Sequence, residues 1–163
     1  MNEKFAVPCV GAIIEKEIDG MPHVLIQTRQ KADGGATNGL TELPAGKVRE
    51  YEDLFSALRR EVREETGLTV TKIRGEDQSA VISCDGGAIC SYQPYCVTQN
   101  LSGAYSILLH TFLCEAEGEL LTDTDESSNI RWIPVEELRK VVREQPETVF
   151  FLHLNALRAY LNL

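Results

Sequence analysis

Three glutamates, Glu61, Glu64 and Glu65, crowd the end of one segment, GKVREYEDLFSALRREVREETGL, which runs from Gly46 to Leu68. Good helix formers without an internal Gly or Pro extend from Glu52 to Thr66, which predicts a helix there. Gly67 supplies the left-handed residue that ends it. The helix dipole and the free carbonyls disfavour carboxylates at that end, by a few tenths to about 1 kcal/mol each. Like charges one turn apart add to the penalty. Something must offset the crowding, and the simplest candidate is a bound divalent cation. With oxygen donors and no Cys or His nearby, that cation is a hard one: Mg²⁺, with Mn²⁺ as the alternative.

At about 100° per residue, Glu61 and Glu65 fall roughly 20° to either side of Leu54, on the stripe that Leu58, Val62, Phe55 and Ala57 define. Glu64 lies toward its margin, and Glu52, Arg59 and Arg63 point to the opposite side, where solvent is expected. A buried carboxylate without a partner pairs, protonates or binds metal. The competing reading is an ordinary solvated face whose glutamates pair with arginines, for which Arg60 and Glu64 stand four apart. If repulsion dominates this helix end, Glu65→Gln should leave the metal-free protein as stable as before or more so.

The elements that position this helix are predicted as follows. Phe5–Glu15 and His23–Arg29 read as strands joined by a hairpin at Asp19-Gly20. Residues 30–40 read as a polar loop and Thr41–Pro44 as a short strand leading toward the helix. Leu68–Arg74, Ala80–Cys84, Ala88–Tyr92, Tyr95–Thr98, Ile107–Ala116 and Ile130–Ile133 read as further strands, with Ile107–Ala116 the strong central one. Helices are predicted at Val135–Arg143, started by Pro134, and at Glu147–Leu161.

The chain has 163 residues, 43% apolar and 25% charged, and reads as one globular domain over residues 1–163. Its net charge of −9 opposes binding to DNA or long RNA, and it obliges a phosphorylated ligand to find local cations. The first residues lack a basic stretch, and their apolar run is broken by Pro8 and Gly11. Neither a signal peptide nor a membrane span is read, and a cytoplasmic location is expected. Five cysteines without a C-x-x-C read as small buried hydrophobes on strands rather than as disulfides or a zinc site.

The segment resembles the Nudix box, G-x5-E-x7-R-E-U-x-E-E-x-G-U with U a bulky aliphatic. Gly46, Glu52, Arg60, Glu61, Val62, Glu64, Glu65, Gly67 and Leu68 meet every specified position. Glu42-Leu43-Pro44-Ala45-Gly46 is similar to the family's lead-in, and Arg131-Trp132-Ile133-Pro134 with the following Val135–Leu138 to its last strand–helix junction. The resemblance implies an α/β/α sandwich around a mixed β-sheet. It also implies Mg²⁺-dependent hydrolysis of a nucleoside diphosphate linked to another group, with water as nucleophile.

Carried over by position, Glu61, Glu65 and Glu64 hold the metal, with the carbonyl of Ala45, and Arg60 and Glu52 orient them. Some members carry a further metal-binding or base glutamate six residues before the position of Trp132, where Glu126 stands beside Asp123 and Asp125 in an acidic loop. The loop before Trp132 would then hang over the metal, its strand running beside the sheet edge that carries the helix. The base is Glu61, Glu64 or Glu126. Arg29 is similarly placed to a phosphate contact, against the plain reading of a surface arginine. Tyr92, Tyr95 and Tyr105 either stack on the substrate or pack in the core, and His110 reads as a hydrogen-bonded core histidine.

The lead-in leans toward the ADP-sugar branch, but Ser83 stands where that branch has a proline. Nucleoside triphosphates and modified nucleotides therefore stand beside ADP-ribose. The partners expected are a small-molecule nucleotide and, optionally, a second copy in a homodimer, with no nucleic acid and no membrane. The alternative from another class is a nucleotide-sensing module without turnover.

Overall fold

The structure is a computed structural model and describes residues 3–163; Met1 and Asn2, part of the domain read over 1–163, lie outside it. Among the described residues ten strands and three α-helices follow one another. They are β1 (Val7–Ile18), β2 (Met21–Arg29), β3 (Thr41–Glu42), β4 (Ala45–Lys47), α1 (Leu54–Thr66), β5 (Thr69–Ile73), β6 (Ala80–Cys84), β7 (Gly87–Ser91), β8 (Cys96–Gln99), β9 (Ile107–Glu117), β10 (Ser127–Pro134), α2 (Val135–Glu144) and α3 (Phe151–Leu161).

β1 and β2 form the expected hairpin. Ile18 faces Met21 across Asp19 and Gly20, whose φ of 50° and 76° give the turn that matches strand twist. On its other side β1 runs parallel to β9, from Val7 opposite Ile107 to Glu15 opposite Glu115. The main sheet follows the order β10-β2-β1-β9-β5, with β3 on β2, β4 on β1 and β8 on β9. It is mixed because β1–β9 is parallel and its other pairs antiparallel.

Val10, Ala12, Ile13 and Ile14 of β1 are all buried because helices cover both faces of the sheet. The two-residue period of the strand divides them. Val10, Ala12 and Ile14 pack with Phe55, Leu58 and Val62 of α1, whereas Ile13 joins Leu138 and Val142 of α2 and Leu157 and Leu161 of α3. The result is the expected α/β/α sandwich.

Two local differences have physical causes. The single strand expected at Thr41–Pro44 divides, because β3 pairs with β2 while β4 pairs with β1. The last helix starts at Phe151 rather than Glu147. Pro146–Thr148 closes a 3₁₀ turn, and Phe150 is drawn out of helical conformation, its N–H donating to the Thr41 carbonyl at 2.8 Å. The strand through Trp132, expected beside the sheet edge that carries the helix, is β10, which pairs with β2 at the edge of the sheet.

β6 and β7 pair only with each other and leave Val81, Ile82 and Ile89 exposed. Their cysteines correct the sequence reading. Cys9 and Cys114 are buried hydrophobes, but Cys84 is exposed and Cys90 and Cys96 are half-buried. Among the described residues no helix is long and apolar enough to cross a membrane.

Candidate functional site

The carboxylate-bearing helix begins two residues later than its propensities suggest, at Leu54. Asp53 caps it, one carboxylate oxygen accepting from the N–H groups of Phe55 and Ser56 at 3.0 Å each. Gly67 ends it with φ 80°, its N–H reaching the Arg63 carbonyl at 3.1 Å. The cap leaves Glu52 outside the helix, and its carboxylate does not face water as the wheel implied. It takes two bonds from the Arg60 guanidinium, at 2.8 and 2.7 Å, and one from the Arg49 N–H at 2.9 Å. The Arg60 guanidinium beside it, helped by the Arg49 N–H, holds the Glu52 carboxyl down at about 2.

Arg60 is the hub of this half of the site. Besides Glu52 it reaches Glu61 at 2.5 Å, Glu64 at 3.3 Å and the Lys47 carbonyl at 3.0 Å. Glu64 is exposed and also pairs with Arg49 at 3.6 Å, so the solvated ion-pair reading describes that glutamate. Glu61 is different. Its carboxylate lies directly against Gly46: a Cβ built there would stand 1.9 Å from the Glu61 Cδ. Burial pushes the Glu61 carboxyl above its ordinary range, Arg60 opposes this, and Glu65 and Glu64 add to it.

Glu65 is 4% exposed, as its place on the apolar stripe requires. It survives burial because three donors meet it: Gln27 Nε2 at 2.8 Å, the Ala45 N–H at 3.0 Å and Lys31 Nζ at 3.0 Å. Lys31 Nζ also bonds the Glu126 carboxylate, and the Gln30 N–H donates to the Glu126 carbonyl at 2.8 Å. The acidic loop therefore does approach the helix, over the end of β2. Besides the cation expected from the crowding, protein groups share that work: Lys31 and the Ala45 N–H meet Glu65, and Arg60 and Arg49 meet Glu61 and Glu64. Among the described residues no three His, Cys, Asp or Glu side chains converge at metal-binding distance.

Leu25 and Gln27, two apart on β2, both point toward α1, and this placement was not anticipated for Gln27. Its Nε2 bonds both Glu65 and Glu42, while its Oε1 is buried without a hydrogen-bond partner. Arg29 is buried rather than a surface arginine. It pairs with Glu42 at 3.1 Å, donates to Thr37 at 3.0 Å and lies 4.3 Å from the Phe150 ring centre. Burial pushes the Glu42 carboxyl up, Glu65 adding to it and Arg29 opposing. Gln27, Lys31 and Glu42 were missed. The available signals were a polar residue, Gln27, directly after the apolar run Val24–Ile26, and the place of Glu42 in the lead-in.

Tyr92 packs edge-on to Phe55 at 5.1 Å and its hydroxyl accepts from the Leu54 N–H, so it belongs to the core. Tyr105 packs against Phe150 and Arg29. Tyr95 is exposed. His110 Nδ1 stands 3.2 Å from the Cys9 carbonyl on a half-buried ring, as a bonded strand histidine.

A sandwich of this design, with a carboxylate-studded helix beside a glycine of the lead-in strand, defines a class of pyrophosphohydrolases. A family model described as NUDIX domain matches residues 6–152, and the chain belongs to the Nudix family, whose members generally use divalent metal ions. A search of curated proteins finds no match to it.

Solved structures share the fold. A NUDIX hydrolase from Nitrosomonas europaea is 21% identical with a TM-score of 0.64, covering 99% of this chain and 73% of that one. The NUDIX domain of Shewanella oneidensis NrtR complexed with ADP ribose is 19% identical with a TM-score of 0.66, covering 97% and 88%. A MutT NUDIX hydrolase from Burkholderia pseudomallei is 22% identical with a TM-score of 0.56, covering 80% and 84%. At these identities the likeness is one of fold.

Proposed function

We propose that the chain, as one Nudix domain over residues 1–163, hydrolyses the pyrophosphate bond of a nucleoside diphosphate linked to another group, using Mg²⁺ or Mn²⁺. The substrate is a nucleoside triphosphate, a modified nucleotide or an ADP-sugar. The observation that carries this reading is Glu65. It is a carboxylate 4% exposed on an apolar helix face, held by strand and loop donors, with Glu126 across Lys31 and Glu61 on the neighbouring Gly46.

The donor set suits a hard cation. Glu61, Glu64, Glu65, Glu126 and the Ala45 carbonyl are all oxygens, and the partnerless Gln27 Oε1 lies beside them. When bound, the cation neutralises and orients the phosphates. Glu61 and Glu65 would be its main ligands, with Glu64 and Ala45 completing the set. Glu52 fixes Arg60, and Arg60 in turn fixes the position of the Glu61 carboxylate. Water attacks phosphorus after losing a proton to a carboxylate. Glu126, solvent-reaching at the mouth of the site, and the half-buried Glu61 are the leading bases, with Glu64 third. Arg29 would serve a substrate phosphate only by loosening its pairing with Glu42.

The test is a phosphate-release screen over a nucleotide panel with Mg²⁺, with Mn²⁺ and with chelator. Metal-dependent turnover on at least one nucleoside diphosphate derivative is expected. Tight nucleotide binding with no turnover on any would instead support a sensing module.

A further inference from the structure

Lys31 occupies a place that its sequence position, in a polar loop, does not explain. Its ammonium sits between Glu65, which is buried, and Glu126, which is mostly exposed. The lysine side chain is itself only 17% exposed. A flexible four-carbon stem loses rotamer freedom when so confined. The surrounding loop is built to hold it there.

The Lys31 N–H donates to Asn38 Oδ1 at 2.9 Å, and Asn38 Nδ2 donates back to the Lys31 carbonyl at 2.8 Å. The Gly34 N–H bonds the same carbonyl at 3.0 Å. Gly34 also makes room for the clamp, because a Cβ there would stand 2.0 Å from Asn38 Oδ1. On the far side, the Gln30 N–H ties down the backbone of Glu126. Residues 30–38 thus fix both the root of the lysine and the loop that carries its second partner.

An ammonium and a divalent cation compete for the same two carboxylates. Both cannot hold them at contact distance, since like charges that close repel strongly in a partly desolvated site. Resting on the metal reading of Glu65 and Glu126, we propose that Lys31 is the resident counter-ion of the site, which the metal must displace. Metal binding is then an exchange of cations rather than an addition. The lysine keeps the metal-free helix end neutralised and weakens the apparent metal affinity by the fraction of molecules in which it has already swung out. A charged hydrogen-bonded pair of this kind corresponds to roughly a tenfold effect or more.

The sign of the effect separates this role from a structural one. Losing a merely structural lysine would loosen the site and weaken metal binding. Losing a competitor tightens it. The experiment titrates Mn²⁺ alone into the full chain by calorimetry, for wild type, Lys31→Met, Lys31→Arg and Asn38→Ala, with melting curves in chelator.

Lys31→Met should bind Mn²⁺ roughly tenfold more tightly than wild type and melt lower without metal. Lys31→Arg, which keeps the charge, should stay near wild type. Asn38→Ala, which releases the lysine without touching a carboxylate, should also tighten binding, and it decides the matter if Lys31→Met does not fold. Wild-type or weaker Mn²⁺ affinity in folded Lys31→Met and Asn38→Ala, with wild type binding normally, overturns the counter-ion role alone. Absence of Mn²⁺ binding in every protein overturns the metal site itself, and this inference with it.

Discussion

Gly46→Ala isolates what the first glycine of the helix-bearing segment is for. Gly46 is not among the residues with positive φ, so alanine can adopt its backbone. The obstacle is Glu61: the new Cβ would stand 1.9 Å from its Cδ and 2.1 and 2.3 Å from its oxygens. Carbon atoms rest about 3.5 Å apart or more, so the carboxylate must retreat by about 1.5 Å. It is the free end of a flexible side chain, and the retreat costs a rotamer, about 0.5–1.5 kcal/mol, rather than a backbone shift.

Two effects oppose that cost. Alanine restricts the unfolded chain, worth about 0.4–1 kcal/mol. Movement away from the strand also relieves part of the burial that raises the Glu61 pKa. Arg60 loses the Glu61 contact but keeps both bonds to Glu52. Net stability should change by no more than about 1 kcal/mol, a shift of about 2–4 °C in Tm. The reaction should suffer far more, because a misplacement of an ångström or so at a reacting centre costs on the order of 10² in rate. Melting curves and initial rates of metal-dependent phosphate release read the two quantities. A folded Gly46→Ala protein within about threefold of wild-type kcat/KM would show that the reaction does not use Glu61 as it lies over Gly46.

Glu65→Gln should abolish most activity, and the structure reverses the expected sign of its effect on stability. A glutamine keeping its oxygen on the Ala45 N–H and Gln27 turns its own N–H toward the Lys31 ammonium, so the metal-free protein should lose about 1–3 kcal/mol; a Tm at or above wild type would count against the Lys31 pairing. Glu126→Gln should lower kcat by about 10²–10⁴ with little change in KM if Glu126 is the base. If Glu126 is a ligand only, excess Mn²⁺ should restore part of the rate, and wild-type kinetics at limiting metal would leave Glu61 as the leading base. His153 is buried, and that burial, with Arg29, pushes its pKa from 6.5 down to about 3. A depressed histidine contributes stability above pH 6.5 that is lost as pH falls toward 3, about 2 kcal/mol of it by about pH 5. Denaturant melts of wild type and His153→Leu across that range should differ by this slope, and parallel slopes would refute it.

The helix and the burial of Glu65 were readable from sequence because both depend on local spacing. Position on the apolar stripe is a property of the segment alone, and Glu65 lies where the wheel put it. The partners of Glu65 were not readable. Gln27 and Ala45 reach it through two strands whose mutual placement is set by the sheet, and Lys31 through a loop shaped by Asn38. The orientation of Glu52 failed for a related reason. A wheel assumes the residue is helical, whereas the Asp53 cap excludes it and frees it to meet Arg60. The β6–β7 pair shows the opposite limit, since strand propensity located both strands but could not tell that they join no larger sheet.

The parallel pairing of β1 with β9 bears on how the chain reaches this state. Val7 lies opposite Ile107, so the middle of the sheet joins segments separated by about a hundred residues, a closure that costs entropy before any contact rewards it. During synthesis the β1–β2 hairpin and α1 emerge first and hold only one flank of their eventual core. Phe112 and Leu113, which fill the two faces behind β1, arrive much later. Folding should therefore be slow for a chain of this size, and a nascent polypeptide stalled before β9 would expose the apolar flank of β1 to chaperones or to aggregation.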